Sequence, residues 1–313
     1  MRIVIALGGN ALLRRGQPMD AGTQRRNIAR ATTAIAALAG DHQLVVTHGN
    51  GPQIGLLALQ AMHDGQTPPF PLDVLGAESE GMIGYVVEQE LAARLPDREI
   101  ATLLTQIVVD PGDPAFKQPD KPIGPVYRQE EAHRLGAQLG WAIGPDGDGY
   151  RRLVPSPRPR SVREIRPIRR LVEADVLVIC AGGGGIPVVL TEGGGMRGIE
   201  AVIDKDRTSA LIAAELNADA LLILTDVPGV YAGWKTPEQR MIRRATPEAL
   251  DGHRFEAGSM APKIEAACGF VRETGRIAAI GALDDAAAIL SGRAGTTIRG
   301  DGPELEFYPP EAP

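Results

Sequence analysis

The sequence predicts an α/β protein built on a mainly parallel sheet. Three observations carry that expectation. Short β-branched or apolar runs alternate with longer helix-like patterns. Glycine-rich turns join them, as expected where strands connect through helices. The chain has 313 residues, 43% of them hydrophobic, which is ample for one large core or two joined lobes.

Each element follows from its local pattern. RIVIAL (2–7) reads as a buried strand. The stretch 23–40 reads as a helix, with Ile28, Ile35 and Leu38 on one face and Gly40 as its stop. QLVVTH (43–48) is a strand ended by GNGP, and a helix follows through IGLLALQAM (54–62). EGMIGYVVEQELAARL (80–95) is a second amphipathic helix, and IATLLTQIVV (100–109) a single strand. Residues 110–160 break the rhythm with many Pro and Gly, an acidic helix-like piece (129–140) and a hairpin around GPDGDGYRRLVPSP (144–157). An excursion this long in a compact domain suggests a lid or binding element. The rhythm then resumes with strands at 175–181, 218–227 and 276–283 and helices at 206–216, 260–275 and 284–292. The tail 299–313 reads as an irregular extension.

Composition excludes several classes. A net charge of −6 and only 4% aromatic residues argue against a nucleic-acid binder. No apolar run approaches membrane-spanning length, and no signal-peptide pattern opens the chain, so a soluble cytoplasmic protein is expected. Cys180 and Cys268 read as buried small hydrophobes rather than a disulfide or metal pair.

Three glycine-rich loops directly follow strands: GGN (8–10), HGNGP (48–52) and AGGGGIP (181–187). On a parallel sheet they share one edge, where their N–H groups can face an anion. None is a Walker loop, because no Lys-Ser/Thr pair follows the glycines. AGGGGIP also departs from the dinucleotide fingerprint, which places a dehydrogenase last. Positive charge must therefore come from elsewhere. Of 33 basic residues only five are lysine, so a retained lysine can mark a need for a compact point charge. Lys117 and Lys235 sit in ordinary loops. Lys121 lies in the insertion, and Lys205 in IDKDRTSA, where Asp204 or Asp206 could cap a helix. Lys263 follows Pro262 in the first turn of a helix, an unfavourable place for a cation unless it faces an anion. Backbone N–H groups and lysines are the inventory of phosphoryl transfer, which asks for alignment and charge neutralisation. His48 reads as a residue that pins its turn, Ser156 lacks a nucleophile elbow, and no spacing suggests a structural zinc site.

LGGNAL (7–12), THGNGPQ (47–53), DPAFKQPDKPIGP (113–125), EAVIDKD (200–206), ILTDVPGVY (223–231) and AGSMAPKIEAA (257–267) together resemble carbamate kinases of the amino acid kinase superfamily. The resemblance runs from about residue 2 to 298. It implies a single domain folded as a three-layer αβα sandwich, working as a homodimer. Its acceptor lobe would span about 1–172, with a protruding subdomain at about 111–160. Its nucleotide lobe would span about 173–298, leaving 299–313 as a tail. It implies reversible transfer between ATP and carbamate with Mg²⁺, run toward ATP in breakdown of arginine or related nitrogen compounds. By resemblance, Gly8, Gly9, Asn10, Gly49, Asn50 and Gly51 hold the small substrate. Lys121, Lys205 and Lys263 flank the transferring group, with Asp204 organising them. Gly183, Gly184, Thr225, Tyr231 and Met260 line the nucleotide beside Lys205 and Lys263. A kinase for another small carboxylic acid, and a non-catalytic nucleotide sensor, are the competing readings. All three lysines are retained, which disfavours the sensor.

Overall fold

The fold was obtained as a computed structural model that describes residues 1–13, 16–61, 70–256 and 259–309, with the backbone alone for Asn10 and Ala11. Met62 of the helical pattern at 54–62, and Ala257 and Gly258 of the GSM motif, lie outside the described residues.

Continuous apolar runs become strands covered on both faces. β1 (Arg2–Leu7) is buried from Ile3 onward and leads into the short α1 (Gly9–Leu12). α2 (Ala21–Ala39) starts at Asp20, whose carboxylate accepts from the N–H of Thr23 at 2.8 Å. β2 (Gln43–His48) and α3 (Gly51–Gln60) follow, then α4 (Leu72–Ala92). α4 begins eight residues before the sequence pattern does. Its first N–H, from Leu72, is capped at 2.6 Å by Glu200, a partner too distant in sequence to read locally.

The expected single strand at 100–109 is two strands in different sheets. β3 (Ile100–Leu103) and β4 (Gln106–Val109) are separated by the half-exposed Leu104 and the buried Thr105. β5 (Lys121–Tyr127), α5 (Gln129–Leu139), β6 (Ala142–Asp146) and β7 (Gly149–Val154) build a separate antiparallel sheet in the order β5-β7-β6. It docks on α3 so closely that a Cβ on Gly55 would sit 1.9 Å from the Cα of Gly124. β8 (Pro159–Val162) and α6 (Ile165–Glu173) complete this half.

The remainder comprises β9 (Leu177–Cys180), β10 (Ile186–Leu190), β11 (Met196–Gly198), α7 (Lys205–Glu215) and β12 (Ala220–Thr225). Then come β13 (Tyr231–Ala232), β14 (Arg240–Ala245), α8 (Pro247–Asp251), α9 (Met260–Thr274) and β15 (Ile277–Ala282). α10 (Ala286–Leu290), β16 (Thr296–Ile298) and β17 (Leu305–Phe307) end it. The tail is thus not wholly irregular: β17 pairs antiparallel with β14, and Tyr308 donates its hydroxyl to Gly295 O at 3.0 Å.

The main sheet runs β3-β9-β2-β1-β12-β15-β16-β14-β13, and the six strands from β3 to β15 are mutually parallel. Alternation along β1 splits the core. Ile3, Ile5 and Leu7 pack toward α2, α4 and α10, whereas Val4 and Ala6 pack toward α6, α7 and α9. Helices therefore cover both faces, giving three layers. β10, β11, β4 and β8 form a small mixed sheet beside it. Because β9, β2, β1 and β12 are adjacent and parallel, the loops after all four strands share one edge.

Candidate active site

At that edge the three glycine loops pack against one another. Gly8 donates to Leu224 O at 2.8 Å and Gly49 to Leu7 O at 3.1 Å, tying the first two loops to neighbouring strands. Gly183 has φ +68°, and a Cβ there would lie 2.0 Å from Asn50 Nδ2, so only glycine fits. Gly8, Gly9, Gly49, Asn50, Gly51 and Gly183 line a cleft of about 780 Å³. The Asn10 side chain lies outside the described residues. Gly184 turns away from the cleft: its carbonyl accepts from Thr208 Oγ1 on α7 at 2.8 Å.

The three lysines line the same cleft. α7 opens with Asp204, whose Oδ1 accepts from the N–H groups of Asp206 (2.9 Å) and Arg207 (3.2 Å). Its Oδ2 accepts from Lys121 Nζ at 2.9 Å, joining the three-stranded sheet to this helix start. Lys205, on the first turn of α7, pairs through Nζ with Asp206 Oδ1. Lys263 reaches over from α9 to Asp206 Oδ2 at 3.1 Å. The carboxylate that holds Lys205 and Lys263 is therefore Asp206, and Asp204 serves Lys121. Three lysines pair with two carboxylates here, and a third carboxylate, Asp226, lines the same cleft.

Burial sets the electrostatics. It draws Lys205 below the ordinary lysine range, against the pull of Asp206. It acts likewise on Lys263, but there Asp206, aided by Asp204 and Asp226, outweighs it and leaves the ammonium favoured. Burial pushes Asp204 upward, yet the adjacent Lys121, with Lys205 and the Arg207 N–H, holds it well below the usual carboxylate range.

A largely apolar pocket adjoins the cleft. Tyr231, Trp234, Phe255 and Met260 line it, and it shares Thr225, Asp226, Ser259 and Lys263 with the cleft. The Tyr231 and Trp234 rings sit 5.2 Å apart, a surface suited to a flat aromatic group. Among the described residues, no three His, Cys, Asp or Glu side chains gather as a metal cage. No described helix is long and apolar enough to cross a membrane.

Sequence reasoning missed the support beneath the loops. Glu80 is buried and accepts from Gly182 N at 2.8 Å and Thr105 N at 3.3 Å. Its signal was its spacing: residues 80, 83, 87 and 91 fall on the buried face of α4. His48 pins its turn through Nδ1 to Gly49 O at 3.2 Å. Burial, with a smaller push from Lys205, lowers it to about 4, so it stays neutral at pH 7. Cys180 and Cys268 are buried free thiols, both pushed upward by burial.

Residues 1–280 match the amino acid kinase family. A carbamate kinase from Haemophilus influenzae is 52% identical over 309 residues, covering 98% of this chain and 100% of its own. The chain belongs to the carbamate kinase family. Solved structures agree. A carbamate kinase from Giardia lamblia bound to citric acid superposes with a TM-score of 0.90 at 40% identity, covering 96% of this chain and 98% of its own. The same enzyme bound to AMP-PNP gives 0.86 at 41% identity over the same shares.

His48 gives this carbamate kinase relative an acid limb. Its folded value of about 4 lies below the 6.5 of an exposed histidine, so between these values the unfolded chain takes up more protons. Stability is therefore lost as pH falls from 6.5 toward 4. Urea melts at pH 7 and pH 5 are expected to show a smaller loss in His48→Gln than in the natural protein. An equal loss would contradict a neutral buried His48.

Proposed function

We propose that this chain transfers a phosphoryl group reversibly between ATP and carbamate, and works toward ATP during breakdown of nitrogen compounds such as arginine. The convergence of Lys121, Lys205 and Lys263 on a cleft walled by glycine loops carries this reading. In the ATP-forming direction, a β-phosphate oxygen of ADP attacks the phosphorus of carbamoyl phosphate. The bond from phosphorus to the carbamate oxygen breaks, and carbamate leaves as an anion. No proton has to move, which matches a cleft that employs ammonium groups and N–H donors rather than a base.

We assign the small substrate to Gly8, Gly9, Asn10, Gly49, Asn50 and Gly51, within an acceptor half of about 1–172. We assign the nucleotide to the half at about 173–298, with its base against Tyr231 and Met260. Gly183 faces the phosphates from the loop side and Thr225 from the β12 end. A relative's structure with AMP-PNP supports nucleotide binding in this fold. Lys205 and Lys263 neutralise charge on the transferring group. Lys121 exchanges Asp204 for substrate, making the 111–160 subdomain a lid. Mg²⁺ carried on nucleotide phosphates needs at most one or two protein carboxylates. Asp226, which lines both cleft and pocket, is our candidate. Bound there, the ion would neutralise phosphate charge. The family resemblance also supports a cytoplasmic homodimer.

A coupled assay of ATP formation from ADP tests this reading, with carbamoyl phosphate compared against acetyl phosphate. Strong preference for carbamoyl phosphate is expected, and equal use would favour a kinase for another carboxylic acid. Lys205→Ala and Lys263→Ala should each lower kcat about a thousandfold with the fold intact. Near-normal turnover in either would overturn these roles. Lys121→Ala should raise KM for carbamoyl phosphate about tenfold, the scale of one lost charged contact. An unchanged KM and rate would count against the lid.

A further inference from the structure

α4 carries two adjacent buried polar residues outside the cleft, Ser79 and Glu80. Ser79 Oγ accepts from Asn50 Nδ2 at 2.7 Å and donates to Gly76 O at 2.8 Å. Glu80 Oε1 accepts from Gly182 N at 2.8 Å, and its Oε2 from Thr105 N at 3.3 Å. Thr105 Oγ1 in turn accepts from Ala181 N at 3.0 Å. One helix turn thus grips the second and third glycine loops together. There is no slack between them. A Cβ on Gly182 would lie 2.3 Å from His48 Cε1 and 2.9 Å from Glu80 Cγ. Gly183 comes next and lines the cleft beside Asn50. Its N–H has no protein partner among the described residues.

We propose that Glu80 is a positioning residue for phosphoryl transfer, fixing Gly182 so that the Gly183 N–H and Asn50 present one rigid wall to the bound anion. This rests on the kinase reading above. Two arguments carry it. A side chain needed for stability alone is better served by an apolar group, because a buried carboxyl is expensive to desolvate. And a carboxyl is the group that accepts a hydrogen bond on each oxygen, whether ionised or protonated, as two divergent N–H donors require. A carboxamide accepts on one oxygen only, so Glu80→Gln leaves either Gly182 N or Thr105 N without an acceptor.

The same burial raises the Glu80 carboxyl to about 8 against the pull of its two N–H donors and of the Thr105 hydroxyl. Glu164 adds to the rise, and the other titratable groups facing it are the neutral His48 and the Cys180 thiol. Above pH 8 Glu80 ionises and sets a negative charge behind the anion-binding wall.

The test is steady-state ATP formation by the natural protein and Glu80→Gln, with thermal melts of both. KM for carbamoyl phosphate is expected to rise about tenfold in the variant, the scale of one buried N–H left unpaired. KM for ADP, whose phosphates meet this wall only at Gly183, should rise less than KM for carbamoyl phosphate. The natural protein's KM for carbamoyl phosphate should climb above pH 8, and the variant's should not. Unchanged KM values in the variant with a lowered melting temperature would reduce Glu80 to a structural role and overturn the proposal. Should Glu80→Gln not fold, Thr105→Val removes the acceptor of Ala181 N and is expected to show the same KM split; equal effects on both substrates would overturn the proposal. A natural protein that forms no ATP would contradict the kinase reading instead.

Discussion

Asp206 holds two buried ammonium groups on one carboxylate. Lys205 comes from the start of α7 and Lys263 from α9, and without Asp206 they would repel each other in a water-poor site. Removing one partner from such a buried cluster leaves charge uncompensated, at a cost of about 3–5 kcal/mol. The carboxylate therefore decides where both lysines stand, and it opposes the loss of charge that burial favours at each. Asp204, two residues earlier, extends the arrangement. It caps α7 with one oxygen and holds Lys121 with the other, so the helix start and the three-stranded sheet are tied at one point.

The glycine loops are the complementary half. They bring backbone N–H groups to the cleft and no charge. Their rigidity comes from beneath, where α4 grips Asn50 and Gly182. The parallel sheet makes the meeting possible. β9, β2, β1 and β12 deliver their loops to one edge, while α7 and α9 pack on one face and bring their N-terminal turns to the same place.

Much of this was legible in the sequence, for definite reasons. Strands such as 2–7 and 43–48 are short apolar runs closed by glycine, and they formed where expected. Lys121, Lys205 and Lys263 stood out because arginine fills nearly every other basic position. What escaped depended on partners far away in the chain. The run 100–109 is continuously apolar, so its break at Leu104–Thr105 shows only once β3 and β4 pair with different strands. The start of α4 depends on Glu200, and the strand in the tail on β14. Asp204 and Asp206 are indistinguishable as letters two apart. Three-dimensional direction separates them, one toward Lys121 and the other toward Lys205 and Lys263. The role of Glu80 likewise depends on Thr105 and Gly182, partners 25 and 102 residues away in the chain.

Asp206→Asn tests the shared carboxylate most directly. The change keeps shape and removes the charge that both lysines answer. Turnover of ADP with carbamoyl phosphate should fall at least about a hundredfold, the scale of losing a placed charge at a reacting group. Circular dichroism should remain unchanged, showing an intact fold. Turnover within a few-fold of the natural protein would contradict the idea that Asp206 places Lys205 and Lys263 and favours their charged forms.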